Sequence, residues 1–558
     1  MKRLALALAF LAAGPVEAQT ALVVEQAALS TVSPEATRIG LEVLSSGGNA
    51  IDAAVAVSFA LAVSHPQAGN IGGGGFLVYY DAASREVWTL DFREIAPAAA
   101  TRTMFVDEEG KPRTDASTVG PLASGVPGSV AGLAEAHARF GSMPWRSLLE
   151  PAVALADGGF TWRPIDLTHL EEAQKNRRID RFPATAALLF PDGQPPAPGD
   201  VIRQRDLART LRRIAEDGPR EFYEGATAKM LVEAMRRDGG ILSAKDLRDY
   251  RPTWRAPIRI DYGDYHIYTM APPSAGGLLL GEMLQILKPY ALREFGFQTP
   301  GYLHVLAEVE RRAYLDRNRF LGDPASTRIP YAALFSEERA AQWRSSIALD
   351  RATPTRLLAE QTRALEPRDT THFSIVDASG NIASLTTTIN TFFGSGYLVP
   401  NAGFFLNNEM DDFTTAPGAP TAFGLVQGDA NAVQPGKKMA SSMTPTIVFR
   451  GEHPFLVLGS PGGGTIPTTV LQVFLNVTTF GMTLADAVAA PRYHHQAWPD
   501  EIRWERGRAP LDVLDALNRA GHSTKEVDPI GDVHALLFRD GKIHAVADTR
   551  RGGLAGGF

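Results

Sequence analysis

The 558-residue chain has no cysteine. That absence excludes disulfides, cysteine-bound zinc, iron–sulfur clusters and a thiol nucleophile together, so any covalent catalysis has to use oxygen or nitrogen. Positive charge is also in short supply: 55 Lys and Arg face 62 Asp and Glu, for a net charge of −7. No global basic field exists to hold a phosphate backbone, and nucleic acid is not an expected partner. Glycine, proline and aromatic contents are not skewed toward a disordered or fibrous chain. With 44% apolar and 21% charged residues, the chain is a folded protein. It is long enough for two large domains or roughly three or four ordinary ones.

Long apolar runs are scarce. The run at 4–13 is shorter than the roughly 20 residues a spanning helix needs. Lys2 and Arg3 precede it, and Val16-Glu17-Ala18 places small residues before Gln19, so 1–18 reads as a secretory signal peptide rather than a short membrane anchor. An exported chain without cysteine suits a bacterial periplasm or exterior. The other apolar run, 50–63, follows the N-cap candidate Asn49 and contains Asp52, which predicts a buried core helix and leaves no membrane span.

In the first half, β-rich segments at 76–81 and 87–92 flank a polar turn and place Arg93 at the end of a hairpin strand. An Arg-rich stretch at 174–214, with prolines at 195, 196 and 198, predicts a surface excursion. Helical patterns follow at 277–287 and 303–320, the second reading as amphipathic with its charges on a solvated face. A polar stretch at 352–369 then gives way to strands at 371–377 and 382–388, a hairpin beginning abruptly at Thr370. A second hairpin, 446–449 with 455–458, runs into Gly459-Ser460-Pro461-Gly462-Gly463-Gly464. Between them, 416–438 is rich in Gly and Pro and reads as a long mobile loop of the kind used as lids.

Single motifs do not decide the chemistry. The glycine turn lacks the following Lys-Ser or Lys-Thr of a P-loop; it could be a steric turn or a nest of N–H groups for an oxyanion. His494-His495 point to opposite faces if they lie on a strand, and no H-E-x-x-H occurs, so neither metal nor cofactor is expected. Gly72 to Gly75 read as a site of close backbone approach. A Thr pair at a strand start is ordinarily structural.

Their order along the chain says more. Thr370-Thr371-His372-Phe373-Ser374, Thr388-Ile389-Asn390, Asn407-Asn408-Glu409-Met410-Asp411-Asp412-Phe413, Ser441-Ser442-Met443-Thr444-Pro445 and Gly459-Ser460-Pro461-Gly462-Gly463 occur in succession. Gly72 to Phe76, Asp91-Phe92-Arg93-Glu94 and Pro272-Pro273-Ser274-Ala275-Gly276-Gly277 precede them. Together they resemble the γ-glutamyltransferase family, or glutathione hydrolases, of the N-terminal nucleophile hydrolase superfamily. The resemblance covers essentially all of the chain after 18.

It implies an α+β fold, a four-layer αββα sandwich built from both products of one precursor. Self-cleavage would fall at Asp369-Thr370, giving a large subunit 19–369 and a small subunit 370–558. Thr370 would become an N-terminal nucleophile whose own α-amine, with a reference pKa of about 7.7–8.0, is the general base. Thr388 would orient its hydroxyl. Arg93, Ser441 and Ser442 would bind the α-carboxylate of a γ-glutamyl group, while Asn390, Glu409 and Asp412 would take its ammonium. Gly462 and Gly463 would stabilise the oxyanion. The acyl group would pass from glutathione or a related donor to water or to an amino acid or dipeptide acceptor. Where many bacterial members carry a lid Tyr, this chain has Phe423, which keeps the ring and loses the hydroxyl. The C-terminal Asp548-Thr549-Arg550-Arg551-Gly552-Gly553 lacks a Pro after the Asp.

Two rivals remain: a cephalosporin acylase of the same family acting on a glutaryl side chain, and a periplasmic binder of γ-glutamyl ligands. The presence of Glu409, Asp412 and Asn390 argues against the first, because a glutaryl group has no ammonium.

Overall fold

The β-branched and aromatic residues after Thr370 form the expected hairpin. Strands Thr371–Val376 and Ile382–Thr388 pair antiparallel, with Thr371 opposite Thr387 and Val376 opposite Ile382. The structure is a computed structural model that describes residues 19–113, 115–177, 179–358, 370–416, 421, 422, 425 and 427–558. The expected signal peptide over 1–18, the expected cleavage residue Asp369 and Phe423 therefore lie outside the described residues.

Asp377 closes the hairpin turn by accepting the N–H groups of Ser379 and Asn381 at 2.9 and 3.0 Å. Its other oxygen accepts the Ala50 N–H at 2.9 Å, at the start of helix Ala50–Ser64, where the helix dipole favours an anion. Asn49 and Asp52 form a capping box there, and all residues of the helix are buried, as expected for a segment apolar on every side.

The hairpin is central to a seven-stranded sheet. In order its strands are Leu554–Gly557, Ala28–Thr31, Thr371–Val376, Ile382–Thr388, Gly74–Asp81, Glu86–Asp91 and Thr253–Arg255. A second seven-stranded sheet runs Leu22–Val24, Lys542–Ala547, His534–Arg539, His453–Gly459, Thr446–Arg450, Tyr265–Thr269 and Ile258–Tyr262. Neighbouring strands in both are antiparallel. Each sheet takes strands from both sides of residue 370.

Three hydrophobic clusters define the layers. Val78, Val376 and Ile382 of the first sheet meet Ile447, Val457 and Leu536 of the second, so the sheets stack face to face. Outside the first sheet, Leu77, Phe373 and Leu385 pack with helix Ala50–Ser64 and its neighbours. Outside the second, Val448, Leu456 and Leu537 pack with helices Gly276–Leu287, Pro300–Phe320 and Ile466–Thr478. The result is the αββα sandwich.

Two local expectations are corrected. In helix Pro300–Phe320, Glu308, Glu310, Arg311, Arg312, Asp316 and Arg317 are buried rather than solvated. Most of them are satisfied by neighbours: Glu308 pairs with Arg311 and Arg312, Asp316 with Arg339, and Glu310 accepts the His495 N–H. The 174–214 stretch is also less of an excursion than its composition suggests. Helices Pro183–Leu189 and Arg205–Asp217 lie in it and bury Leu189, Leu207, Leu211 and Ile214, leaving the Pro-rich turn largely exposed. In the described part of 416–438, side chains at Gln427, Asn431 and Lys438 bond to neighbouring segments.

Candidate active site

Both sheets present the same end to one cavity. The first contributes the start of strand Thr371–Val376, the end of Ile382–Thr388 and the residues after Glu86–Asp91. The second contributes the start of Thr446–Arg450 and the end of His453–Gly459. Thr370, Thr388, Asn390, Arg93, Glu409, Asp412, Ser441, Ser442 and Gly463 all line it. Gly462, its neighbour in the glycine turn, does not.

The Thr370 hydroxyl is 3.5 Å from the Thr388 hydroxyl, and Thr388 Oγ1 also accepts the Asn390 N–H at 2.8 Å. Asn390 adopts φ of +78°, a left-handed conformation that asparagine tolerates better than most residues. Its Nδ2 donates to the Asn408 carbonyl at 2.9 Å, while its buried Oδ1 has no hydrogen-bond partner. Strand Ile382–Thr388 can lie this close to strand Gly74–Asp81 because of the glycine run. A Cβ on Gly73 would sit 2.1 Å from the Thr388 carbonyl oxygen, and one on Gly74 would sit 2.6 Å from Glu94 Oε2.

Arg93 follows strand Glu86–Asp91, and the Asp91 carboxylate accepts its backbone N–H at 2.9 Å. Arg255 and Lys438 fix that carboxylate from 2.8 Å each. The buried Arg93 guanidinium faces three acids: Glu409 at 2.6 Å, Glu94 at 3.7 Å, and Asp412 in direct hydrogen-bonded contact. It also donates to the carbonyls of Ala440 at 3.1 Å and Met439 at 3.5 Å. Asp412 is held by its backbone, since the Gln427 and Asn431 side-chain amides donate to its carbonyl at 2.7 and 2.6 Å. The Glu409 contact is ionic but off the line of the N–H bonds, and no oxygen of Glu94 or Glu409 has a hydrogen bond of normal geometry.

Burial is the main cause of the charge shifts here. It raises Glu94 to about 7 and lifts Glu409 and Asp412 above the usual carboxylate range, against the opposing pull of Arg93. Burial also works against the Arg93 charge, but the carboxylates around it outweigh that cost and hold it above its ordinary value.

Ser441 and Ser442 are set by the motif Pro272 to Gly277. The Ala275 N–H donates to the Ser441 carbonyl at 2.7 Å, and the Ser441 N–H donates to the Pro273 carbonyl at 2.9 Å. The buried Ser442 hydroxyl has no partner. In the glycine turn, Gly462 and Gly463 have φ of +133° and +54°, conformations that a side chain would strain.

The sequence reading missed Glu94 as a third acid, and it missed Arg317, Leu425 and Ile466 in the cavity wall. Glu94 was legible only as the neighbour of Arg93, and Arg317 carried no signal beyond its helical position. Among the described residues, one group has metal-ligand chemistry in range: His304, Glu308 and His522. Its donors are already committed, since Glu308 pairs with Arg311 and Arg312, and His304 Nδ1 lies 2.8 Å from His522 Nε2. It serves as a packed polar network.

The family model described as Gamma-glutamyltranspeptidase matches residues 36–558. The glutathione hydrolase proenzyme of Escherichia coli is 41% identical over 532 residues, covering 94% of this chain and 90% of that protein. That of Pseudomonas aeruginosa is 43% identical over 521 residues, covering 92% and 91%. Among solved structures, a cephalosporin acylase from Bacillus halodurans superposes with a TM-score of 0.84 at 26% identity, covering 99% of both chains. By sequence over nearly its whole length, and by a fold shared with related acylases, this chain belongs to the gamma-glutamyltranspeptidase family.

Proposed function

We propose that the protein matures by cutting itself before Thr370 and then hydrolyses or transfers γ-glutamyl groups, with glutathione as a donor. The observation that carries this reading is the convergence of the Thr370 and Thr388 hydroxyls with Arg93, Asp412 and Ser442 on one buried cavity.

In maturation, the Thr370 hydroxyl attacks the Asp369 carbonyl, the peptide bond becomes an ester, and water releases a large subunit 19–369 and a small subunit 370–558. The new α-amine of Thr370 then takes the proton from its own hydroxyl as that oxygen attacks the γ-carbonyl of the donor. Backbone N–H groups of Gly462 and Gly463 hold the oxyanion, and the same amine returns the proton to the leaving amine. Water or the amine of an amino acid or dipeptide resolves the ester.

The cavity is only about 20 Å³, close to the volume one water needs. A γ-glutamyl group enters by exchanging like for like: its ammonium replaces Arg93 beside Asp412, Glu409 and the idle Asn390 Oδ1, while its carboxylate takes up guanidinium and serine donors. The acids favour this reading over the glutaryl acylase, whose substrate would leave them unmatched. Export by a signal peptide over 1–18 to the periplasm or exterior belongs to the same reading. No helix among the described residues is long and apolar enough to cross a membrane.

The test is a denaturing gel with N-terminal sequencing. The purified protein should give fragments of roughly 38 and 20 kDa, the smaller beginning at Thr370, with the larger beginning at Gln19 after export. Thr370→Ala should remain one uncut, inactive chain. Normal cleavage in that variant would remove Thr370 from the mechanism, and a single wild-type band would favour a non-catalytic binder.

A further inference from the structure

Two guanidiniums line the cavity, and their surroundings differ. All three nitrogens of Arg93 are already committed to acceptors of the protein: Glu409, Glu94, Asp412 and the carbonyls of Met439 and Ala440. Arg317, on helix Pro300–Phe320, is 1% exposed and forms no ion pair among the described residues. It makes one hydrogen bond, from NH1 to the Asn318 side-chain oxygen at 3.1 Å, and its buried Nε has no partner. One turn earlier, the Tyr314 hydroxyl bonds the Gly464 carbonyl, which braces this face of the helix against the glycine turn. Burying a guanidinium with donors unused is costly, and an incoming anion offsets that cost. A second donor is idle in the same cavity, the buried Ser442 hydroxyl.

We propose that Arg317 is a second carboxylate-recognition residue, a specificity-determining guanidinium that works with Ser442 to select donors with an anionic group on the carbon that bears the amine. The inference rests on the γ-glutamyl reading of the site and adds a residue to it. It accounts for how a substrate carboxylate finds an available cation before the entering ammonium displaces Arg93 from its acids. Arg317 also places positive charge near Asp412, which opposes part of the upward shift that burial gives that acid.

The experiment compares wild type, Arg317→Gln and Arg317→Lys on two anilides, γ-glutamyl and 4-aminobutyryl, the second keeping the amine and lacking the α-carboxylate. Arg317→Gln should lose about thirtyfold or more in kcat/KM on the γ-glutamyl anilide, with the 4-aminobutyryl anilide changed less than about threefold. Arg317→Lys should recover part of the loss, since an ammonium keeps the charge without the fork. A binding readout needs no turnover. Saturating L-glutamate should raise the melting temperature of wild type more than that of either variant, while 4-aminobutyrate should act alike on all three. Equal losses on both anilides, or an unchanged glutamate-induced shift, would overturn the proposal. If the glutamine variant does not fold, the lysine variant decides by the same two comparisons. Failure of the functional reading looks different: wild type itself stays uncut and turns over neither anilide.

Discussion

Two buried clusters of arginine and carboxylate in this protein have similar ingredients and opposite character. In one, Arg492 and Arg550 balance Glu505 and Asp548, with contacts of 2.5 Å from Arg492 to Asp548 and 2.6 Å from Arg550 to Glu505. Backbone N–H groups of Ile530 and Val533 complete the coordination at 2.9 and 3.0 Å. Although burial opposes their charge, the surrounding cations and donors hold both carboxylates below the usual range. In the cavity, Arg93 touches Glu94, Glu409 and Asp412, the oxygens of Glu94 and Glu409 lack good donors, and all three acids are pushed up. The comparison teaches that charge balance separates the two uses of a buried ion cluster. The satisfied one holds the chain together, and the one left with excess acid is where a ligand's cation fits.

The largest effect expected is on the balanced cluster. Asp548→Asn leaves Arg492 and Arg550 short of a counter-charge and should cost about 3–5 kcal/mol of stability, read as a lower denaturant midpoint. If stability were unchanged, the cluster would not be the structural partner in this comparison.

The cavity cluster should behave the other way. Asp412→Ala should lower kcat/KM for a γ-glutamyl anilide by about 2–5 kcal/mol, roughly thirty- to several-thousand-fold, with a much smaller change in midpoint. On a glutaryl anilide, which lacks the ammonium, the same variant should lose far less. An equal loss on both substrates would make Asp412 a scaffold residue. Arg93→Lys should retain part of the activity that Arg93→Ala loses, because an ammonium lacks the planar fork.

Proton linkage sharpens the contrast with a smaller effect. Glu94, ordinarily near 4.5, is raised to about 7 by burial, so between these pH values the folded state holds a proton that the unfolded state has released. Its contribution to stability therefore falls as pH rises through that window. Glu308 has the reverse sign. Despite burial, Arg311 and Arg312 pull it to about 2, so its contribution is complete above pH 4.5 and is lost as pH falls toward 2. Glu94→Gln should flatten the decline between pH 4.5 and 7 by up to about 3 kcal/mol in pH-dependent melts. A wholly unchanged profile would show that Glu94 does not carry the proton. The smallest effect is expected at the exposed Arg220–Glu224 pair, 3.0 Å apart, where Glu224→Gln should leave the midpoint where it was.

Local signals in the sequence proved reliable where a residue's role depends on its near neighbours. The Asn49 N-cap, the abrupt strand after Thr370 and the turn before Ile382 could be read directly, because caps, alternation and turn chemistry act within a few residues. The helix at 300–320 shows where that logic stops. Its period implied a solvated charged face, but neighbouring helices and chain segments cover that face, and some charges found partners as far as 189 residues away, such as Trp343 for Asp316 and Asp500 for Arg311. In the described part of 416–438, the side chains of Gln427 and Asn431 likewise bond the Asp412 carbonyl, a tertiary contact that composition does not carry.

Taken alone, the sequence determined the chemistry available: no thiol, a Thr pair where a strand begins abruptly, and ordered motifs bearing an arginine, two serines, acids and a glycine turn. It also determined the elements that carry them, through hydrophobic period and capping. Only the tertiary structure decided which of these groups share a cavity, that Arg93 is held by three acids while Arg317 has no ion pair among the described residues, and that one ion cluster is balanced while another is not. The physical reason is distance. Hydrogen bonding and propensity are set by adjacent residues, whereas desolvation and charge balance depend on which groups the sheets bring together, and Arg93 and Asp412 are 319 residues apart along the chain.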